Sequence, residues 1–82
     1  MFELEWKEGA LKQLSKLEPF IAKRIYNRVD ELRDNPFSKD VSRLVCRTEF
    51  KFRIGEFRVL FIIENNKVVI LRLGHRKNIY DF

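Results

Sequence analysis

The stretch Thr48–Tyr80, TEFKFRIGEFRVLFIIENNKVVILRLGHRKNIY, decides the fold. Glu49, Lys51 and Arg53 alternate with Phe50, Phe52 and Ile54. A period of two sends the charges to one face of a sheet and the apolar groups to the other. Gly55-Glu56 follows, two residues with Gly first, as a type II′ hairpin requires because φ is positive there. Phe57–Ile63 is then the return strand, Asn65-Asn66 a second short turn, and Lys67–Leu73 a third strand. The run leaves the sheet through Gly74-His75-Arg76-Lys77 and reaches Tyr80. The pattern predicts an antiparallel meander with cations on one face and a His and a Tyr just past its last strand.

Upstream of the meander, Phe2, Leu4 and Trp6 alternate with Glu3 and Glu5, giving a short first strand. Lys7–Leu17 carries Ala10, Leu11, Leu14 and Leu17 at three- and four-residue spacing, an amphipathic helix. Pro19 suits the first turn of a second helix, where its missing N–H costs nothing. In that helix Ile21, Ile25, Val29 and Leu32 form the stripe to be buried, and Asn35-Pro36 stops it. Residues 37–47 read least clearly: Ser38, Lys39 and Asp40 look like loop, while Val41, Leu44 and Val45 need core contact. A short turn or an irregular strand is expected there. Without repeats or linkers, residues 1–82 read as a single domain. The order is β-α-α-β-β-β and the class α+β. The N-terminal strand and the helical hairpin are expected on one face of a twisted antiparallel sheet.

The middle and last strands are apolar in both parities. Leu60 and Ile62 oppose Val59, Phe61 and Ile63, and Val68 and Ile70 oppose Val69 and Leu71. Two helices cover one face only. The far face then keeps apolar groups beside Lys51, Arg53 and Arg58, more than a free monomer usually shows. A second chain lying over that face is one reading; cover by sheet twist and the 37–47 loop is the other.

Composition narrows the function. The chain has 82 residues, 45% hydrophobic and 13% aromatic, which is globular and not disordered. Residues 1–40 hold eight Lys/Arg and eight Asp/Glu; residues 41–82 hold nine and four, hence the whole net charge of +5. A neutral helical half and a basic sheet half point to an anionic partner on the sheet side, although solvated surface cations would give the same count. A single Cys46 excludes an intrachain disulfide and suits a reducing, cytoplasmic setting. The opening MFELEW has no signal-peptide layout, and no apolar run approaches the ~20 residues that span a bilayer. With one His and one Cys, a zinc site built from those residues and a two-histidine nuclease mechanism both fall away, and no phosphate-binding glycine loop is present. No cofactor or metal is expected.

The remaining candidates for chemistry are mostly cationic. Arg58 shares its parity with Leu60 and Ile62, so it is expected on the open face. Arg76 follows the last strand, with His75 before it, Lys77 after it and Tyr80 four residues on. A guanidinium offers a rigid fork of donors that fits phosphate oxygens, and two of them stabilise a pentacovalent transition state. Internal cleavage of RNA by its own 2′-hydroxyl also needs proton carriers. His titrates near ~6.5 and Tyr near ~10, and surrounding cations lower the latter. Lys51 and Arg53 are placed to hold flanking phosphates. Each has a plainer alternative as a solvated strand cation, a loop histidine or a tyrosine packed on a sheet edge, and spacing alone stops at a basic face with an anionic ligand.

At these residues the chain resembles the RelE/ParE toxin superfamily, specifically its RelE branch. The resemblance runs over nearly the whole length: the FELEW strand, the helical pair, the segment Arg53-Ile-Gly-Glu-Phe-Arg58-Val-Leu-Phe, and the ending Leu73-Gly-His-Arg-Lys-Asn-Ile-Tyr80. It implies a ribosome-dependent endoribonuclease that cuts mRNA in the A site and is silenced by an antitoxin wrapped around it. Carried over by position, the transition-state arginine is Arg58, the second phosphate-binding arginine Arg76 and the catalytic tyrosine Tyr80. Lys51 and Arg53 stand where the family has its RNA-binding lysines, and Lys77 adds a further RNA contact. His75 and Glu49 stay open as proton carriers. Glu49 stands where some members have lysine, the Arg76–Tyr80 spacing is shorter than in some, and the C-terminal helix of some relatives has no counterpart before Phe82. The partners implied are a RelB-like antitoxin on the open face, the ribosome and mRNA. The rival readings are a ParE-like toxin that poisons gyrase, and an inert module that only binds antitoxin or nucleic acid.

Overall fold

The computed structural model describes residues 1–44 and 47–79. Its elements are β1 (Glu3–Trp6), α1 (Glu8–Ser15), α2 (Pro19–Asp30) with a 3-10 turn (Glu31–Arg33), β2 (Val41–Arg43), β3 (Phe50–Ile54), β4 (Phe57–Glu64) and β5 (Lys67–His75). Two tight turns build the meander. Gly55 has φ 57° and Glu56 does not follow it to positive φ, the II′ pattern read from the sequence. Asn65 makes the second turn at φ 56°, a left-handed conformation that Asn tolerates.

The five strands form one sheet in the order β1-β5-β4-β3-β2. The α+β class holds, with two refinements. β1 does not lie on the sheet face: it takes the edge beside β5 and runs parallel to it, Leu4 opposite Val68 and Trp6 opposite Ile70. Edge placement satisfies its backbone, since Glu3 donates to the Asn66 carbonyl at 2.8 Å and Lys7 to that of Ile70 at 2.9 Å. The sheet is therefore mixed. The irregular strand expected in residues 37–47 is β2, antiparallel to β3 with Val41 opposite Phe52. Val45 and Cys46 lie outside the described residues.

Both helices cover one face. Ala10 of α1 and Ile25, Val29 and Leu32 beyond Pro19 join Phe52, Ile54, Val59, Phe61, Val68, Ile70 and Leu73 in one core, with Leu14, Leu17 and Ile21 packed against it. Leu11, expected in that stripe, is 46% exposed, because one position past Ala10 turns it about 100° around the helix. Pro19 opens α2 as its first residue, and the Asn35 side chain accepts the Phe37 N–H at 3.1 Å to turn the chain at Pro36.

The β4–β5 register slips once. Phe61 faces Ile70 but Leu60 faces Arg72, so Leu71 is an extra residue on β5. The open face consequently carries Lys51, Arg53, Arg58, Leu60, Ile62, Val69, Arg72 and Gly74. Leu60 and Val69 are each 1% exposed, so that face has less bare apolar surface than its sequence implied. Leu60 stands between Lys51 and Arg72 in the ladder, both of them half-buried, and the Nε of Arg72 is itself buried.

Phe61 is fully buried and stacks on Phe50 at 5.3 Å between centroids. Phe61→Ala is expected to cost about 3–5 kcal/mol, a large share of what a small domain has. Urea denaturation checks it: a midpoint close to wild type contradicts this core.

Candidate functional site

The candidate functional face is built by the β3–β4 hairpin. Lys51 and Arg53 leave the open side of β3, with Leu60 and Arg58 opposite them on β4. Together with Lys39, Asp40 and Ser42, the three cations Lys51, Arg53 and Arg58 line a concavity of about 280 Å³. Three of the residues selected from sequence, Lys51, Arg53 and Arg58, thus share one basic pocket.

Arg53 lies directly across the ladder from Arg58, an arrangement that repels. The chain answers it on both sides. Asp40 takes Arg53 at 3.3 Å through Oδ1 and Arg28 at 3.3 Å through Oδ2, and its carbonyl accepts the Arg53 N–H at 2.9 Å. Burial pushes the Asp40 carboxyl up, but hydrogen bonds from Arg53 and Arg28 outweigh it and hold the group below its ordinary value. Arg28 in turn lies over the Phe52 ring, 5.3 Å from its centroid, which ties the pair to the core. Arg58 is held differently. Its Nη1 donates to the carbonyls of Gly55 and Phe57, both at 2.8 Å, leaving the Nε and Nη2 donors for a ligand.

The end of β5 forms a second group. Glu56 binds the Arg76 Nε at 2.7 Å, and its carbonyl accepts the Arg76 N–H at 2.8 Å. His75 faces Phe57 across the ladder, edge to ring at 5.7 Å, and Arg58 faces Gly74. His75 therefore stands on the helical side of the sheet and Arg58 on the open side. Its Nδ1 accepts the N–H of Lys77 at 3.2 Å. Lys77 is exposed. Gly74 matters here because Ile79 folds back over it: a Cβ would meet Ile79 Cδ1 at 3.4 Å. Tyr80, expected as a proton carrier, lies outside the described residues. Glu49, the other open candidate, pairs with Arg47 at 3.2 Å. Among the described residues no three His, Cys, Asp or Glu come together as metal ligands.

Four pocket or site residues escaped sequence reasoning. Lys39, Asp40 and Ser42 belong to the stretch that had no readable period, and only the β2–β3 pairing brings them beside Arg53. Arg72 shares the parity of Val68 and Ile70, which predicts the helical face, and the extra Leu71 moves it to the open one.

A family model described as the ParE toxin of type II toxin–antitoxin system, parDE, matches residues 4–80. The chain belongs to the RelE/ParE family of toxins. Among solved structures, a RelBE toxin–antitoxin complex from Mycobacterium tuberculosis is similar at 28% identity and TM-score 0.80, covering 92% of this chain and 98% of that one. The RelB–RelE complex of Methanococcus jannaschii (22%, TM-score 0.77, 94% and 95%) and the intact RelBE complex of E. coli (16%, 0.77, 92% and 96%) share the fold. No curated protein sequence matches. The protein is the toxin of a type II toxin–antitoxin system. No described helix of the toxin is long and apolar enough to cross a membrane.

Asp40 gives the toxin an acid sensitivity. Its carboxyl and that of Glu5, which is held by Lys67 at 3.2 Å and Lys7 at 3.5 Å, both titrate below their ordinary values of 3.8 and 4.5. Depressed folded-state values mean stability that is complete above those ordinary values and lost as pH falls through the folded ones. Urea midpoints should therefore fall below about pH 4.5, and Asp40→Asn should lower the neutral midpoint while flattening that acid limb. An unchanged acid slope in the variant contradicts the Arg28–Asp40–Arg53 bridge.

Proposed function

We propose that this toxin is a RelE-type mRNA interferase, a ribosome-dependent endoribonuclease that arrests translation by cutting mRNA in the A site. The observation that carries the reading is the convergence of Lys51, Arg53 and Arg58 on one pocket of the open face, with the Nε and Nη2 donors of Arg58 left over. A phosphate needs that donor set. In the reaction the 2′-oxygen of one nucleotide attacks the adjacent phosphorus, the bond to the 5′-oxygen breaks, and a 2′,3′-cyclic phosphate and a 5′-hydroxyl result. The 2′-hydroxyl loses a proton to a base, and an acid returns one to the leaving 5′-oxygen. Arg58 and Arg76 stabilise the added charge of the pentacovalent phosphorus, while Lys51, Arg53 and Lys77 hold the flanking backbone. Tyr80 is the proton carrier in this scheme; His75, set by the register on the other face of the sheet from Arg58, does not share that pocket, and no metal takes part. A RelB-like antitoxin lies over the open face and closes the pocket to RNA. The solved relatives, each a toxin bound to its antitoxin, support that partner. Such a toxin works in the cytoplasm.

The family description as a ParE toxin favours one second reading, a protein that poisons DNA gyrase without cutting RNA. Arg58, Arg76 and Tyr80, which gyrase-directed members generally lack, count against it. Primer extension on programmed ribosomes separates the two. Wild type is expected to cut at A-site codons only in the presence of ribosomes, and Arg58→Ala to slow cutting on the order of 10²–10³-fold, the usual loss for a transition-state donor. Cutting by Arg58→Ala at the wild-type rate overturns the site. DNA damage in expressing cells, with mRNA intact, favours gyrase.

A further inference from the structure

The two arginines of the site are anchored by neighbouring residues of one turn, in chemically different ways. Gly55 offers Arg58 a carbonyl at 2.8 Å, and Glu56 offers Arg76 a carboxylate at 2.7 Å. The same Glu56 oxygen lies 4.0 Å from His75 Nε2. Because His75 Nδ1 accepts the Lys77 N–H, the neutral ring carries its hydrogen on Nε2, the nitrogen that faces Glu56. One carboxylate oxygen thus takes the guanidinium, and the imidazole N–H stands just beyond hydrogen-bond reach of it. To those donors a carboxylate oxygen and a phosphate oxygen are the same kind of acceptor.

We propose that Glu56 is an internal stand-in for an RNA phosphate: it fills an anion subsite made by Arg76 and His75, and single-stranded RNA displaces it on binding. The identity of the polyanion rests on the nuclease reading given above. Three features favour displacement over a fixed structural bridge. Glu56 and Arg76 are 60% and 53% exposed, so the pair is hydrated and weak. The turn does not depend on the carboxylate, because the Arg76 N–H is held by the Glu56 carbonyl and the fold of the hairpin by Gly55. Asp40 shows the contrast: it is 21% exposed, bridges two arginines and joins α2 to the sheet. Displacing Glu56 releases Arg76 without touching the carbonyls that hold Arg58. The carboxylate is then a toll on weak polyanions, which repel from it, and a ligand that also fills the Lys51–Arg53–Arg58 pocket overcomes that repulsion.

A double-mutant cycle tests this with a fluorescent single-stranded RNA that is 2′-O-methylated throughout, so that no attack on phosphorus is possible. Anisotropy at low and at physiological salt gives affinities for wild type, Glu56→Gln, Arg76→Ala, the double variant and Glu64→Gln, which makes the same charge change at the other end of β4. Glu56→Gln is expected to bind about 2- to 5-fold tighter than wild type, with the gain abolished in the Arg76→Ala background. Glu64→Gln should gain less. An equal gain with and without Arg76, a gain no larger than that of Glu64→Gln, no gain, or no measurable binding by any variant overturns the proposal. Nitrogen-15 spectra add a direct readout: the Arg76 Nε–H resonance should respond to inorganic phosphate at lower concentration in Glu56→Gln, and an identical titration in both proteins overturns it. Coupling between Glu56 and Arg76 in a toxin that cuts no mRNA on ribosomes retires the nuclease reading alone. Cutting without coupling retires this inference alone.

Discussion

The faces of the sheet depend on one extra residue. Ile70, Leu71, Arg72 and Leu73 cannot all be satisfied by strict alternation, since Arg72 has the parity of Ile70 and Leu73 that of Val69. An unbroken ladder would put a guanidinium into the helical core and a leucine into water, and burying an unpaired charge is far costlier than interrupting one ladder position. Slipping Leu71 out of register sends Leu73 to the core at 1% exposure and Arg72 to the open face. The bulge leaves a backbone donor past the end of β1, and α1 supplies its acceptor: Gln13 Oε1 takes the Leu73 N–H at 2.7 Å. The irregularity that sets the chemistry of the open face is thus also met by a side chain of the first helix.

Collecting cations on one sheet face works against stability, and the chain limits the cost locally. Cross-strand arginines repel, yet Arg53 and Arg58 are exact ladder partners. Asp40 offsets the first through a bridge that reaches the core by way of Arg28 and Phe52. The second is held by carbonyl dipoles at a turn whose left-handed glycine also brings its backbone within reach of Arg24: a Cβ on Gly55 would stand 3.3 Å from Arg24 Nη2. A face optimised only for folding would replace one of these arginines with a threonine or a valine. Under the proposed function, a ligand that supplies negative charge accounts for the pair.

The fold was legible wherever a period or a turn rule was strong. The II′ turn at Gly55, the stripe of Ile25, Val29 and Leu32, the start of α2 at Pro19 and the open-face position of Arg58 all follow from residues within a few places of each other. What was not legible is non-local. β1 reads as a strand, but its parallel seat beside β5 depends on a partner more than sixty residues away. Asp40 and Ser42 become pocket residues only through a three-residue strand, too short to show alternation. His75 was grouped with Arg58 by proximity in sequence, whereas the register sets the two on opposite faces. The surplus of apolar groups on the open face was also overstated, because a sequence count takes no account of the ladder neighbours between which Leu60 and Val69 are left only 1% exposed.

The two arginines that the family resemblance selects do not start from the same electrostatic state. Arg76 already has a carboxylate at 2.7 Å, and Arg53 shares one at 3.3 Å. Arg58 has only carbonyl acceptors, and among the described residues no carboxylate lies within ion-pair distance of it. A carbonyl dipole orients a guanidinium but leaves its full charge uncompensated, so of the two arginines lining the pocket Arg58 keeps the larger share of its charge. The hydrogen bonds from Nη1 also fix the plane of the group before any ligand arrives, which removes part of the ordering cost of a bidentate contact. A phosphate entering at Arg58 displaces no anion and meets donors already aligned, whereas one entering at Arg76 must first compete with Glu56. Binding is therefore expected to begin on the open face and to reach the end of β5 second.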